Sequence, residues 1–179
     1  MNNQISIDYT THAKSNDLYN TIFLKSIQEA VVAHSDINYT PLIVELKPPY
    51  PQTIRVYFYK LLANKEYGYK SILRVPKQKS GERGRFDYSD VNFTMIGGYN
   101  PDEDIFVFWD AYLHDDFGFN KNIQVKQEGV IDAIIYGYTS TERSLSSGII
   151  EKITIVKSEN LLKGIEIHYK KYLDKLLGV

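Results

Sequence analysis

No cysteine occurs among the 179 residues, which excludes disulfides, thiolate nucleophiles and zinc sites built on Cys ligands. A net charge of either sign is also missing. Lys and Arg number 21 against 22 Asp and Glu, for a formal charge of −1, so a nucleic-acid site, if present, has to be local. Neither GxxxxGKS/T nor GxGxxG is found, so the usual phosphate-cradling loops of nucleotide motors are excluded. No apolar run approaches the length of a membrane span. The polar beginning MNNQISIDYTTHAKSND carries neither the cationic start nor the apolar stretch of a secretory signal, so the expectation is a cytoplasmic protein with no membrane partner. His12, His34, His114 and His168 are too scattered to suggest a metal by spacing. Neither a metal nor a cofactor is expected.

What is present suits one domain over residues 1–179, with its core in residues 17–157 and a helix over 158–177. Fifteen Tyr, eight Phe and one Trp favour strands, and most of them belong in a core. Ser15, Asn16 and Asp17 offer a helix cap, and an apolar stripe from Leu18 to Val31 predicts a helix through about His34. Short β-branched and aromatic runs predict strands at 42–46, 54–60, 69–75, 91–96 (ending at Gly97 and Gly98), 104–110 and 149–156, with a turn and strand over 117–126. The run DIFVFWD (104–110) is apolar on both faces and reads as a central strand. Val130, Ile131, Ala133 and Ile134 predict a short helix ending near Gly137, and Ser158 the cap of an amphipathic helix with Lys170, Lys171 and Lys175 late in it. These elements, about seven short strands and three helices, make an α+β, mostly β fold with a mainly antiparallel core: a small barrel or a half-open sheet with flanking helices.

The charge that is absent overall is concentrated locally. In YKSILRVPKQKSGERGRF (69–86), Lys70, Arg74, Lys77, Lys79, Arg83 and Arg85 stand against Glu82 alone. A strand running into a Gly-punctuated cationic loop suits phosphates and base edges. Gly84 sets Arg83 and Arg85 on one side of an extended chain. Further on, Asn120, Asn122 and Gln124 alternate and project to one face when extended. Side-chain amides pair with adenine edges, and Lys121 and Lys126 flank them for the backbone. Between the two segments, Asp102, Glu103, Asp104, Asp110, Asp115 and Asp116 form an acidic stretch without Lys or Arg, expected to face away from phosphate. The reading is site-specific double-stranded DNA binding without catalysis.

Two other classes compete with it. Asp36, Glu45 and Lys47 have the spacing of a PD-(D/E)xK nuclease, in which the acids hold Mg²⁺ and the Lys orients water; the Pro48-Pro49 pair that follows argues against it. A protein-interaction module would use the aromatic surface. His114, beside Asp115 and Asp116, is a general-base candidate with no nucleophile pattern near it, and is expected to be an exposed turn residue.

The segments YTPLIVELK (39–47), RVYFY (55–59), EYGYKSILRVPKQKSGERGRFD (66–87), IGGYNPDEDIFVFWDAYLH (96–114) and FNKNIQVK (119–126) together resemble the N-terminal DNA-recognition domain of LlaJI-type, McrBC-like restriction systems, over roughly residues 23–162. That resemblance implies a B3-like open pseudobarrel whose two arms grip the major groove, with residues 70–85 as one arm and 112–126 as the other. It also implies a GTP-hydrolysing motor in the same full-length chain and a separate nuclease subunit as partners.

Overall fold

β-branched and aromatic runs become strands because their stiff, bulky side chains suit a pleated surface, and two apolar faces on one strand demand cover on both sides. Both effects shape the computed structural model, which describes residues 4–14 and 17–179. Its elements are α1 (Asp17–Ser26), β1 (Val31–His34), β2 (Leu42–Leu46), β3 (Thr53–Lys60), β4 (Leu62–Asn64), β5 (Gly68–Leu73), β6 (Phe93–Asn100), β7 (Ile105–Trp109), β8 (Lys121–Val125), α2 (Gln127–Tyr136), β9 (Tyr138–Ser144), β10 (Ile150–Lys157) and α3 (Leu161–Leu177). A seven-stranded sheet runs in the order β9-β10-β7-β6-β3-β2-β1 and is open, and a three-stranded sheet runs β8-β5-β4. Two-residue ladders join Ala13–Lys14 to Tyr39–Thr40 and Arg83–Gly84 to Phe117–Gly118.

Only β3 and β6 pair in parallel within the large sheet. A parallel pair needs a crossover of a dozen or more residues. Here residues 61–92 make it, and they carry β4, β5 and the whole basic segment. Alternation along β7 then fixes the two layers. Ile105, Val107 and Trp109 meet Tyr69 and Leu73 of β5, Ile123 and Val125 of β8 and Val130 of α2. Phe106 and Phe108 meet Phe23 of α1 and Leu161 and Ile165 of α3. All five residues of β7 are buried, as the two-faced apolar run requires of a central strand. The fold is mostly β with three helices and an open, mainly antiparallel seven-stranded sheet, the class expected, although β1 and β9 take the places expected of the strands in 69–75 and 117–126, which form the smaller sheet.

Several boundaries differ. α1 stops at Ser26, and Val31–His34 is an edge strand on β2, with an irregularity between Val31 and Ala33. Two adjacent β-branched residues favour extended backbone there, while Ile27 and Ala30 keep their places in the core from a turn. Ser15 and Asn16 of the expected cap lie outside the described residues. Ser158 opens a 3-10 turn rather than the α-helix, and its hydroxyl donates to Asp104 Oδ2 at 2.5 Å. β9 was not anticipated. Its exposure alternates without apolar residues on the inner positions because it is an edge strand.

The strand expected to end at Gly97-Gly98 continues through them to Asn100. A Cβ on Gly98 would lie 2.6 Å from Ser71 Oγ and 3.1 Å from the Trp109 ring. The glycine therefore lets β5 and Trp109 approach the sheet. Gly98→Val is expected to cost about 1–3 kcal/mol through overpacking, measured as a lowered urea midpoint with an unchanged slope.

Candidate nucleic-acid interface

The two polar segments singled out in the sequence are antiparallel neighbours. Gln124 lies opposite Lys70, Asn122 opposite Ile72 and Lys121 opposite Leu73. Alternation sends Tyr69, Ser71, Leu73, Ile123 and Val125 inward. Lys70, Ile72, Asn122 and Gln124 occupy the opposite face, and Ile72 is 39% exposed there. The hairpin feeding β5 turns on Asn64, whose side-chain oxygen accepts from Glu66 and Tyr67 N–H. Gly68, at φ +96°, closes it where a Cβ would strike the backbone of Gln127 at 2.4 Å.

Arg74 leaves the end of β5 exposed but held. Its guanidinium lies 4.3 Å from the centroid of the Phe119 ring, Nε donates to Asn120 Oδ1, and its carbonyl accepts from the Tyr59 hydroxyl. Asn120 takes the left-handed conformation, φ +61°, which asparagine tolerates better than most residues. Phe119 and Tyr59 were not singled out from the sequence. An aromatic beside a polar tip was the available signal for Phe119, since a flat ring under a guanidinium is a common support.

The rest of the basic segment is stapled to itself. Gln78 Oε1 accepts from Val75 N–H at 3.1 Å, and Gln78 Nε2 donates to the Glu82 carbonyl at 3.1 Å. Glu82, the segment's lone acid, accepts from Lys79 N–H at 2.8 Å. Phe86 is buried against Tyr57 and Phe117. Arg83 and Arg85 are exposed on either side of buried Gly84. Arg83 pairs with Asp116 at 2.9 Å, and that bond, with the charge of Arg85 behind it, holds the Asp116 carboxyl below its ordinary range. Both partners are about half exposed, so the pair is worth little and a phosphate can compete for it.

Lys77 and Lys121 are engaged with the protein. The Lys77 ammonium donates to the Thr10 carbonyl. Lys121 is half-buried and donates to His114 Nδ1 at 3.1 Å, while burial, and then Arg143, lowers its pKa. Lys79 and Lys126 are exposed, and Lys126 is the N-cap of α2.

The acidic stretch does not form one face. Glu103 accepts from the Tyr69 hydroxyl, Asp104 from those of Tyr99 and Ser158, Asp110 pairs with Lys175 at 3.1 Å, and Asp116 serves Arg83. His114 is not an exposed turn residue but 2% exposed. An ammonium only donates, so the Lys121 bond leaves Nε2 as the protonated nitrogen, and it donates to Glu151 Oε1 at 2.8 Å. Glu151, fully buried, also accepts from Asp110 N–H and from Arg143 Nε. Burial alone would raise its pKa, but the His114 hydrogen bond and the charge and hydrogen bond of Arg143 outweigh it, and the pKa is lowered. Arg143 and Trp109 both donate to the Gln124 carbonyl. This buried network therefore fixes β8, and with it Asn122 and Gln124, on the body of the fold.

The residues of the nuclease pattern have separate employments. Asp36 caps its own turn through Asn38, Lys47 donates to the Glu29 carbonyl, and Glu45 lies opposite Ala33 and Thr53. Among the described residues there is no cluster of three or more His, Asp or Glu placed to hold a metal ion. No helix among them is long and apolar enough to cross a membrane.

Residues 52–165 match the family model described as methylase-associated X1. The match runs from β3 into α3 and includes every residue of the polar sheet face. No curated protein and no solved structure matches the chain.

Proposed function

Because this chain belongs to the methylase-associated X1 family, which is associated with restriction-modification systems, we propose that it is a non-catalytic accessory domain that binds double-stranded DNA. The contact surface is the outer face of the three-stranded sheet together with the stapled loop beyond it. The observation that carries this reading is the register of β5 on β8, which gathers Lys70, Asn122 and Gln124 from two distant segments onto one outer face, with Arg74 just beyond its end. Lys70, Lys79 and Lys126 suit phosphates. Arg74, Arg85, Asn122 and Gln124 suit base edges, since a guanidinium or an amide can pair bidentately in the major groove. In its finer form the proposal is a recognition domain of a LlaJI-type, McrBC-like system, acting with a GTP-hydrolysing motor and a separate nuclease. The open, mainly antiparallel seven-stranded sheet with flanking helices supports that version.

A selection on random duplexes followed by fluorescence anisotropy tests it. Arg85→Ala is expected to weaken the selected site by about 1–3 kcal/mol and to flatten preference among sequences. Lys79→Ala should weaken all duplexes alike. Equal losses on selected and random duplexes for every substitution would remove the specificity from the proposal, and the absence of any duplex binding at low salt would end it.

A further inference from the structure

Among the described residues two buried side-chain polar atoms have no hydrogen-bond partner, His12 Nε2 and Arg55 Nε. Both residues line one cleft of about 370 Å³, between the N-terminal segment, strands β2 and β3, and residues 87–90. His12 is 6% and Arg55 5% exposed. Buried polar groups in folded proteins are nearly always paired, so two orphans in a single cleft mark a place for a ligand rather than for packing.

The donors and acceptors define its chemistry. Arg55 is fixed by its other nitrogens, which donate to the carbonyls of Asp87 and Ser89 at 2.9 and 2.8 Å and to Asp87 Oδ2 at 3.2 Å. Of its three nitrogens Nε is the one without a partner, and its N–H seeks an acceptor. Glu45, half-buried on the same cleft, offers a carboxylate that seeks a donor, and the His12 imidazole can serve as either. Ile5 and Ile43 supply apolar walls. Acidic side chains outnumber the single arginine in the lining, so an anion is disfavoured. The complement is a flat, neutral group with a ring-nitrogen or carbonyl acceptor beside an N–H donor.

The position narrows this further. Residues 87–90 directly follow the cations Lys79 to Arg85 in the chain, and the Lys77 ammonium donates to the Thr10 carbonyl, two residues from His12. We propose that this cleft binds a single nucleobase, with attached phosphates left to the neighbouring cations. That the base comes from duplex DNA rests on the function proposed above; the recognition chemistry does not.

The test follows the Arg55 Nε–H and His12 ring resonances while each of the four deoxynucleosides is added, and then a duplex carrying 2-aminopurine opposite an abasic site. At least one nucleoside should shift both resonances. His12→Phe, which removes an orphan and fills the cleft, and Glu45→Gln, which keeps its shape, should each weaken that nucleoside about tenfold. A rise in 2-aminopurine emission on binding assigns the base to an extrahelical position in DNA; nucleoside shifts without that rise assign it to a free nucleoside. If a nucleoside shifts the resonances but no duplex binds, the duplex reading falls and the cleft stands. Resonances unmoved by every nucleoside and by the duplex overturn the inference, whether or not paired duplexes bind elsewhere on the protein.

Discussion

Glu151→Ala is expected to destabilise the fold by about 3–5 kcal/mol, the usual consequence of removing one partner from a buried charged network. Glu151 is fully buried in β10 and takes hydrogen bonds from His114 Nε2, Asp110 N–H and Arg143 Nε. Alanine would leave an imidazole, a backbone N–H and a guanidinium with unmet donors. Glu151→Gln keeps the shape and an acceptor oxygen, and should cost less. Because folding holds the Glu151 carboxyl below its ordinary value of 4.5, its contribution is present in full above that value and is lost as pH falls through the lowered one. Urea melts of both variants near neutrality and well below pH 4.5 measure this. The difference between wild type and Glu151→Gln should shrink in acid. Since Arg143 also donates to the Gln124 carbonyl, the alanine variant should loosen β8 and lose duplex affinity before it unfolds.

The second large effect is electrostatic. Lys77 and Lys121 are tied to Thr10 and His114, which leaves Lys70, Lys79 and Lys126, with Arg83 once a phosphate displaces Asp116, as the four cations to meet phosphates. If each displaces a counterion, the logarithm of the binding constant should fall with the logarithm of salt at a slope of roughly 3.6. Affinity would then drop about a hundredfold between about 50 and about 200 mM salt. A variant with all four replaced by alanine should lose most of that slope and bind weakly at low salt. An anisotropy titration at several salt concentrations reads both numbers. A slope that persists in the variant would assign the contact to other cations.

Elements with a strong local signature were readable from residues alone. The β-branched and aromatic runs at 42–46 and 54–60 are β2 and, to within one residue, β3, and the two-faced run at 104–110 holds the buried β7. The positive-φ Gly137 closes α2 where expected. What escaped depends on distant partners. Val31 to His34 carry apolar residues that fit a helix or a strand, and only pairing with β2 decides between them. β9 is polar because it lies at an edge, so it has no apolar signal to read. Gly97 and Gly98 punctuate most sequences, but here they admit the rings of Phe108 and Trp109. Glu151 and His114 are of types usually exposed, and their burial follows from the bond between them, which joins two segments distant in the chain.

The site divides in the same way. The basic segment and the amide edge could be identified one by one from charge and alternation. Their union into one sheet face could not, because the pairing of residues 69–73 with 121–125 spans some fifty positions. The resemblance implied two arms; in the structure residues 69–73 of the first pair with residues 121–125 of the second. The stapling by Gln78 and Glu82, and the support of Arg74 by Phe119, likewise follow from contacts made only in the folded chain.

The central claim is that the outer face of β5 and β8 meets duplex DNA. Backbone amide resonances recorded with and without a selected duplex test it most directly. The account predicts perturbations concentrated at residues 70–74, 79–85 and 120–126, with α2 and β9 quiet. Perturbations confined to α2 and β9, or none at all at low salt, would contradict it.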